Sequence, residues 1–316
     1  TGGALPRRGY CPRLNYGVQG PSRQDPSLIV NKLNKRILIV AQELQEALSK
    51  PQTVAVDCRF DLADPSAGRR AFAQGHVPGA VFLDLDEDLA GPVTATTGRH
   101  PLPDPDELAD KLGRLGISRA HEVVVYDGSH GGVAARAWWL LRWLGHDTVR
   151  LLDGGFASWE RLGLPLQAGP TMREPVDFTP RVRDELVLTT DELLRAEEGI
   201  AALNLLDARD AARFRGEHEP IDPVAGHIPG TRNLPFGDFV HDDGTWRPLE
   251  ERAALFSDVL GDRQATAWSV MCGSGVTACH LAISGLEAGL REPRLYVGSW
   301  SEWIRDARRP IATDEA

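Results

Sequence analysis

The chain is poor in cysteine, with four in 316 residues (Cys11, Cys58, Cys272 and Cys279), and no two of them form a Cys-x-x-Cys pair. That excludes a disulfide framework or a thiolate zinc site as the basis of the fold, and a reducing compartment, the cytoplasm, is expected. No apolar run approaches the roughly 18 residues of a membrane span, and no signal-peptide core is visible, so a soluble protein is expected. Basic residues number 35 against 45 acidic ones, a formal net charge of −10, and the body of the chain has no dense basic block. General nucleic-acid binding, which needs Lys and Arg surfaces facing phosphates, is disfavoured. One or two local arginines still suffice for a small anion. No Gly-x4-Gly-Lys-Ser/Thr run occurs, so there is no nucleotide-phosphate loop of that kind.

What is present is 42% apolar and 25% charged residues, enough apolar material for two cores, at a length near that of two ordinary domains. Residues 1–36 stand apart, with seven Lys or Arg against a single acid, Asp25, and scattered Gly and Pro. They read as a disordered leader, either an organelle-targeting segment or a remnant of upstream sequence.

The body repeats itself. "VAVDCRFDL" at 54 is echoed by "NLLDARDAA" at 204, and "GHVPGAVFLDLDEDL" at 75 by "GHIPGTRNLPFGDFV" at 226. "VVVYDGSHGGVAARAWWLLRWLG" at 123 is echoed by "WSVMCGSGVTACHLAISGLEAG" at 268, and "LLDGGFASW" at 151 by "LYVGSWSEW" at 295. The order is the same both times and the spacing nearly so, which marks a duplication. Within a copy, short β-branched or apolar runs (Val54–Val56, Val123–Val125, Arg150–Leu152) alternate with helical-period segments (105–115, 133–144). That alternation predicts an α/β fold in which each copy is a central, mostly parallel sheet flanked by helices on both faces. Residues 168–186, with three prolines and no period, read as a linker between halves at 37–167 and 187–316.

Ligands of open parallel sheets bind beyond the carboxyl ends of strands. Two equivalent loops fall there, Asp127–Gly132 and Cys272–Thr277, each followed by a helix. N–H groups without intrahelical partners converge at such a helix start and favour an anion, and Gly273 and Gly275 permit the curvature. A cysteine at the base of this nest has its thiolate favoured. Position alone also fits a small buried hydrophobe ending a strand. The Gly, Ser and Thr around it, with no bulky side chain to shield the sulfur, and Asp127 at the equivalent place in the first copy favour a reactive Cys272. A phosphatase of the Cys-x5-Arg kind needs a guanidinium at the position held here by Ala278. A sulfur carrier needs only a thiolate and a ring of donors for the persulfide, which Gly273, Ser274, Gly275, Val276 and Thr277 can supply.

The tandem organisation, the "GHxPG" segments (His76, His227), "GRHPLP" at 98–103, "DARDAARFRG" at 207–216 and the Cys-Gly-Ser-Gly-Val-Thr loop together resemble two-domain rhodanese-like sulfurtransferases, over about residues 38–312. Within them the neutral loop is most similar to that of 3-mercaptopyruvate sulfurtransferases; thiosulfate-preferring members carry basic residues just after the cysteine. The resemblance implies a Cys272 persulfide as intermediate, a small-molecule sulfur donor, and a thiol, thioredoxin or cyanide as acceptor. It implies neither metal nor organic cofactor, and a monomer or weak oligomer is expected. By the same resemblance, Arg213 binds the substrate carboxylate, unless it is a solvated surface arginine. Asp222 stands where a second substrate arginine is expected. Ser274 matches a serine near the substrate carbonyl, its alternative being a hydroxyl bonding local backbone. Thr277 is expected to donate to the persulfide or to cap the helix. His76 matches a histidine of a Ser-His-Asp relay, with Asp64 or Asp61 as the acid, although an architectural role in the repeated "GHxPG" turn serves His76 and His227 equally well. Asp57–Arg59 and Asp207–Arg209 read as structural ion pairs, Trp138, Trp139 and Trp143 as core or domain interface, and Cys279 as buried and inert.

Overall fold

The structure is a computed structural model that describes residues 1–3, 36–196 and 199–313. The basic segment 1–36 falls almost entirely outside the described residues, as does Cys11.

Two five-stranded sheets organise residues 36–313. The first joins β1 (Leu38–Ile39), β2 (Thr53–Asp57), β3 (Val81–Phe82), β4 (Glu122–Tyr126) and β5 (Val149–Leu152) in the order β1-β5-β4-β2-β3. The second joins β6 (Val187–Leu188), β7 (Leu205–Asp207), β8 (Arg232–Asn233), β9 (Ser269–Met271) and β10 (Arg294–Tyr296) in the order β6-β10-β9-β7-β8. The permutation is the same in both, and every ladder pair is parallel. Helices cover both faces, so the central strands are buried on both sides and read as continuous apolar runs rather than alternating ones. In each sheet the chain steps outward from β2 to β3, or β7 to β8, then returns across to β4 or β9. The switch point, where a crevice opens beyond the strand ends, lies between β2 and β4 and between β7 and β9, beside Asp127 and Cys272.

Helices Gly132–Trp143 and Ala278–Glu287 follow those two loops and pack on one another. Residues 134–143 of the first are all buried, the pattern of a helix with protein on every side. Trp138, Trp139 and Trp143 lie there, and one apolar cluster runs through them from the first sheet to the second, from Val54 and Val125 to Val270 and Cys272. Polar contacts reinforce this face. Arg142 pairs bidentately with Glu292 at 2.6 and 2.8 Å, and Glu287 accepts from the N–H groups of Ile37 and Leu38 at 3.1 Å each and pairs with Arg252 at 2.7 Å.

The stretch 168–186 is pinned along the surface rather than loose. Val176, Arg181 and Arg183 donate backbone hydrogen bonds to Gly113, Leu144 and Trp143, Phe178 is buried, and Asp184–Leu186 forms a 3₁₀ turn. The absence of a period left that turn unforeseen. Backbone packed against a fold must satisfy its N–H groups whatever its side-chain pattern.

Candidate active site

The loop after β9 is held open by the segment that follows β10. The Cys272 N–H donates to Ser299 Oγ at 3.1 Å, while the Cys272 and Gly273 carbonyls accept from the N–H groups of Trp300 and Ser301 at 3.0 and 2.9 Å. Gly275 has φ +76°, and a Cβ there would lie 2.6 Å from the Val297 carbonyl oxygen, so only glycine fits. Among the described residues, the N–H groups of residues 273–277 donate to no protein acceptor. Thr277 is the residue before helix Ala278–Glu287, but its hydroxyl makes no capping bond to that helix. Capping, one of its two expected roles, is absent because its backbone is already helical (φ −68°, ψ −17°), whereas a capping residue is usually extended.

Cys272 itself is only 1% exposed. The small loop side chains had suggested an open sulfur, but the cover is tertiary, from the first half of the chain. Arg99 and His100 reach over the loop. Arg136 lies beneath it, wholly buried, and donates to the carbonyls of Gly275, His100, Pro101 and Leu89 at 3.2 to 3.4 Å. Burial lowers the Arg136 pKa, and Cys279 and Cys272 act against that shift. Cys279 sits behind the loop, its thiol pushed up to about 12 by burial, and burial likewise drives the Cys58 thiol upward.

Ser274 is joined to a histidine and a carboxylate, but not to those expected. Its Oγ lies 2.8 Å from His100 Nδ1, and His100 Nε2 lies 3.2 Å from Asp86 Oδ1. Burial first, then Arg136 and Arg99, push the His100 pKa down to about 3, so the ring is neutral near pH 7. A neutral ring has one N–H. Donated to the Asp86 carboxylate, it leaves Nδ1 to accept the Ser274 hydroxyl proton. Burial, helped by Asp84 and Glu87, raises the Asp86 carboxyl above its usual value.

The His76–Asp64 pairing predicted from the sequence does not form. His76 stacks on Phe72 with ring centroids 3.9 Å apart, its Nδ1 is 2.8 Å from the Phe72 carbonyl, and its Nε2 is 3.2 Å from Thr171 Oγ1. His227 repeats this on Phe214, with the stack at 3.7 Å and the carbonyl at 2.9 Å. Both are architectural. Asp64 is exposed and paired with Arg70, which lowers its pKa, and Asp61 accepts from the Ala63 N–H at 2.8 Å. One signal for the right histidine was present: "GHxPG" occurs in both copies, "GRHPLP" in one. A residue serving the one copy that has a cysteine belongs to an unrepeated motif.

Arg213 is partly buried and forked onto Glu219, with Nε 3.0 Å from each carboxylate oxygen. Its Nη2 meets Asp222 Oδ2 at 3.2 Å, and Asp222 Oδ1 pairs with Arg99 Nη1. Burial raises the Asp222 pKa, with Arg99 opposing. Burial would raise Glu219 too, but Arg213 and the Asp222 and Ile221 N–H groups hold it below its usual value. The Asp57–Arg59 and Asp207–Arg209 pairs are structural in both copies, each arginine also donating to a glycine carbonyl, Gly75 or Gly226, at 2.6 and 2.8 Å. Among the described residues, no group of three or more His, Cys, Asp or Glu is placed to hold a metal ion. No helix among them is long and apolar enough to cross a membrane.

The loop after β4 is the counterpart. Asp127 accepts from the N–H groups of Ser129, Gly131, Val133 and Ala134 at 3.0 to 3.2 Å.

A duplicated parallel α/β unit carries a cysteine at the switch point of one copy and a carboxylate at the other. The rhodanese-like domain matches this chain twice, over residues 40–162 and 189–306, and the chain belongs to the rhodanese-like family. A Pseudomonas aeruginosa protein named probable 3-mercaptopyruvate sulfurtransferase is 50% identical over 280 residues, 88% of this chain and 98% of that one. The thiosulfate sulfurtransferase of Gallus gallus is 34% identical over 280 residues, 86% of this chain and 94% of its own length. Among solved structures, 3-mercaptopyruvate sulfurtransferase from Leishmania major superposes with a TM-score of 0.78 at 30% identity, over 87% of this chain and 76% of the other.

Proposed function

We propose that the chain is a sulfurtransferase that takes sulfur from 3-mercaptopyruvate onto Cys272 and passes it to a thiol, thioredoxin or cyanide. Residues 187–316 carry the nucleophile, residues 37–167 complete the pocket, and 168–186 joins them. The observation that carries this reading is the Ser274–His100–Asp86 series beside the Cys272 loop. A thiol-ketone donor needs such a group and thiosulfate does not.

The Cys272 thiolate attacks the donor's sulfur. The S–S bond forms as the donor's C–S bond breaks, and the electron pair leaves on carbon as the enolate of pyruvate. The Ser274 hydroxyl, kept at the pocket by His100, turns its single proton from His100 Nδ1 to the ketone oxygen while that charge develops. The proton of the donor's thiol ends on the enolate carbon, giving pyruvate and a Cys272 persulfide anion. The free N–H groups of residues 273–277, with the Thr277 hydroxyl, hold that anion. Arg213 holds the donor's carboxylate. The acceptor then attacks the outer sulfur and the thiolate is regenerated. The chemistry is a double displacement with no call on metal or organic cofactor, and it suits a reducing compartment such as the cytoplasm, where thiols persist. A monomer or weak oligomer suffices, because one chain carries every group named.

Mass spectrometry of the Cys272 peptide after incubation with 3-mercaptopyruvate is expected to show the addition of one sulfur atom, and Cys272→Ser to abolish both the adduct and pyruvate release. Full turnover by Cys272→Ser would falsify the reading. Thiosulfate is the second donor to compare, since a relative bears that name. A higher kcat/KM with thiosulfate than with 3-mercaptopyruvate would make the chain a thiosulfate sulfurtransferase. A thiol that loads from neither donor would make it a carrier or redox sensor.

A further inference from the structure

Four guanidinium groups lie around the Cys272 loop, and three of them have a carboxylate of their own. Arg209 pairs with Asp207 at 2.7 Å, Arg213 with Glu219 at 2.8 Å, and Arg99 with Asp222. Arg136, on helix Gly132–Trp143 of the first half, has no such partner among the described residues. It is wholly buried, and every acceptor it reaches is a neutral carbonyl: Leu89, His100 and Pro101 of its own half, and Gly275 of the loop, at 3.2 to 3.4 Å. A buried cation without a counter-ion is costly, and carbonyl dipoles solvate its charge without cancelling it. The groups whose negative charge favours its protonated form are two thiols, Cys279 and Cys272. Burial pushes Cys279 up to about 12, so that thiol is neutral near pH 7. Burial and the two arginines beside it leave His100 neutral as well, at about 3. Cys272 is the group that remains, at the start of the loop whose Gly275 carbonyl Arg136 holds.

We infer that Arg136 is the fixed counter-charge of the Cys272 thiolate and of the persulfide that replaces it, a positioning residue supplied by the first half of the chain beneath a loop it does not belong to. For the persulfide this rests on the sulfurtransferase reading; for the thiolate it does not. A thiolate and a persulfide anion carry the same charge, so one buried cation serves both states. Held on four carbonyls, its guanidinium needs no rearrangement as the sulfur atom arrives and leaves. It lies on the opposite side of the loop from Arg99 and His100, away from the donor, and so acts on the sulfur's charge and not on the choice of substrate.

The test sets charge against hydrogen bonding. Arg136→Gln keeps N–H donors for the carbonyls and loses the charge, whereas Arg136→Lys keeps the charge and loses the fork. The rate of iodoacetamide alkylation of Cys272, read on its peptide by mass spectrometry, is followed against pH. Arg136→Gln is expected to move that profile to higher pH by about one to three units. It should also lower kcat with 3-mercaptopyruvate at neutral pH by about tenfold or more, with KM within about twofold. Arg136→Lys is expected to keep the wild-type profile to within about half a unit, even where its urea midpoint falls as far as that of Arg136→Gln. Equal displacement of the profile in both variants would make Arg136 a strut of the loop and remove the inference, as would a wild-type profile in Arg136→Gln. Alkylation needs no sulfur donor, so these outcomes leave the sulfurtransferase reading intact. Wild-type protein that loads sulfur from neither 3-mercaptopyruvate nor thiosulfate removes that reading and not the counter-charge of the thiolate. If the variants do not fold, the urea midpoint of the wild type minus that of Cys272→Ser carries the test. A sulfur held ionised in the native state makes this difference grow as pH rises toward about 8.5, the free thiol value, because in that window the unfolded chain binds the extra proton. A flat difference would remove the inference.

Discussion

The loops after β4 and β9 leave equivalent strands and enter equivalent helices, and the backbone beyond the next strand clamps both in the same way. Phe156 and Ala157 donate to the carbonyls of Asp127 and Gly128 at 2.8 and 2.9 Å, as Trp300 and Ser301 do to Cys272 and Gly273. The contents differ. In the first loop the Asp127 carboxylate takes four N–H groups, and in the second the N–H groups of residues 273–277 find no acceptor among the described residues. A convergent ring of amides calls for an anion. The first copy supplies that anion from its own Asp127; in the proposed cycle the second would receive it as the Cys272 persulfide. The next residue repeats the contrast. Gly155 and Ser299 share a left-handed backbone, φ +54° and +52°. A Cβ on Gly155 would lie 2.7 Å from the Asp127 carbonyl oxygen, so the first loop closes on glycine. The second has room for a serine whose hydroxyl holds the Cys272 N–H. A non-glycine residue there costs roughly 1 to 3 kcal/mol, strain of a kind that clusters at functional sites.

The comparison can be broken at several places. The largest effect is expected at the Cys272 loop: Ser274→Ala should lower kcat with 3-mercaptopyruvate by about a hundredfold to ten-thousandfold, the range for losing a positioned proton donor, with thiosulfate loading much less affected. Equal losses with both donors would show that Ser274 shapes the loop rather than serving the ketone. At the filled loop, Asp127→Ala strands four N–H groups and should cost about 2 to 4 kcal/mol in urea unfolding, while turnover per folded molecule changes little. An unchanged midpoint would mean that solvent satisfies that nest without the carboxylate.

Per ring and per pH unit, the smallest expected effect is on pH dependence. Burial holds His146 of the first half at about 4, and His280 of the second and His100 between them at about 3. The unfolded chain protonates these rings near pH 6.5 and the native one does not, so above about 6.5 they add no slope. Below it, the unfolded state binds more protons, and stability should fall by about 1.4 kcal/mol per pH unit and per ring until each native pKa is reached. Urea midpoints followed downward from neutrality check this, and replacing His146 or His280 by a neutral isostere should remove one increment of the slope. A flat profile down to about pH 4 would contradict it.

Much of this was legible in the sequence because it is local. β2, β4 and β5 and the helices at 105–114 and 132–143 fall where runs and periods put them, and the repeat located both loops. What was not legible joins distant residues. His100 reaches Ser274 across 174 positions, and Arg99 reaches Asp222 across 123. The burial of Cys272 depends on the same crossing, since its own loop is made of small residues. His76 misled because it shares a motif with His227, and a motif kept in both halves reports what every copy needs to fold. Ser299 was visible only as "GSW" beside "GGF", and the meaning of that change lies in a backbone angle.

The packing of helix Gly132–Trp143 on helix Ala278–Glu287 has one further consequence. It brings Arg99, His100 and Arg136 to a cysteine they do not share a sheet with, so the half without a nucleophile is not an idle relic of duplication. It lines its sibling's loop with Arg99, His100 and Arg136, so a substitution at any of these three alters the surroundings of Cys272 as well as its own half.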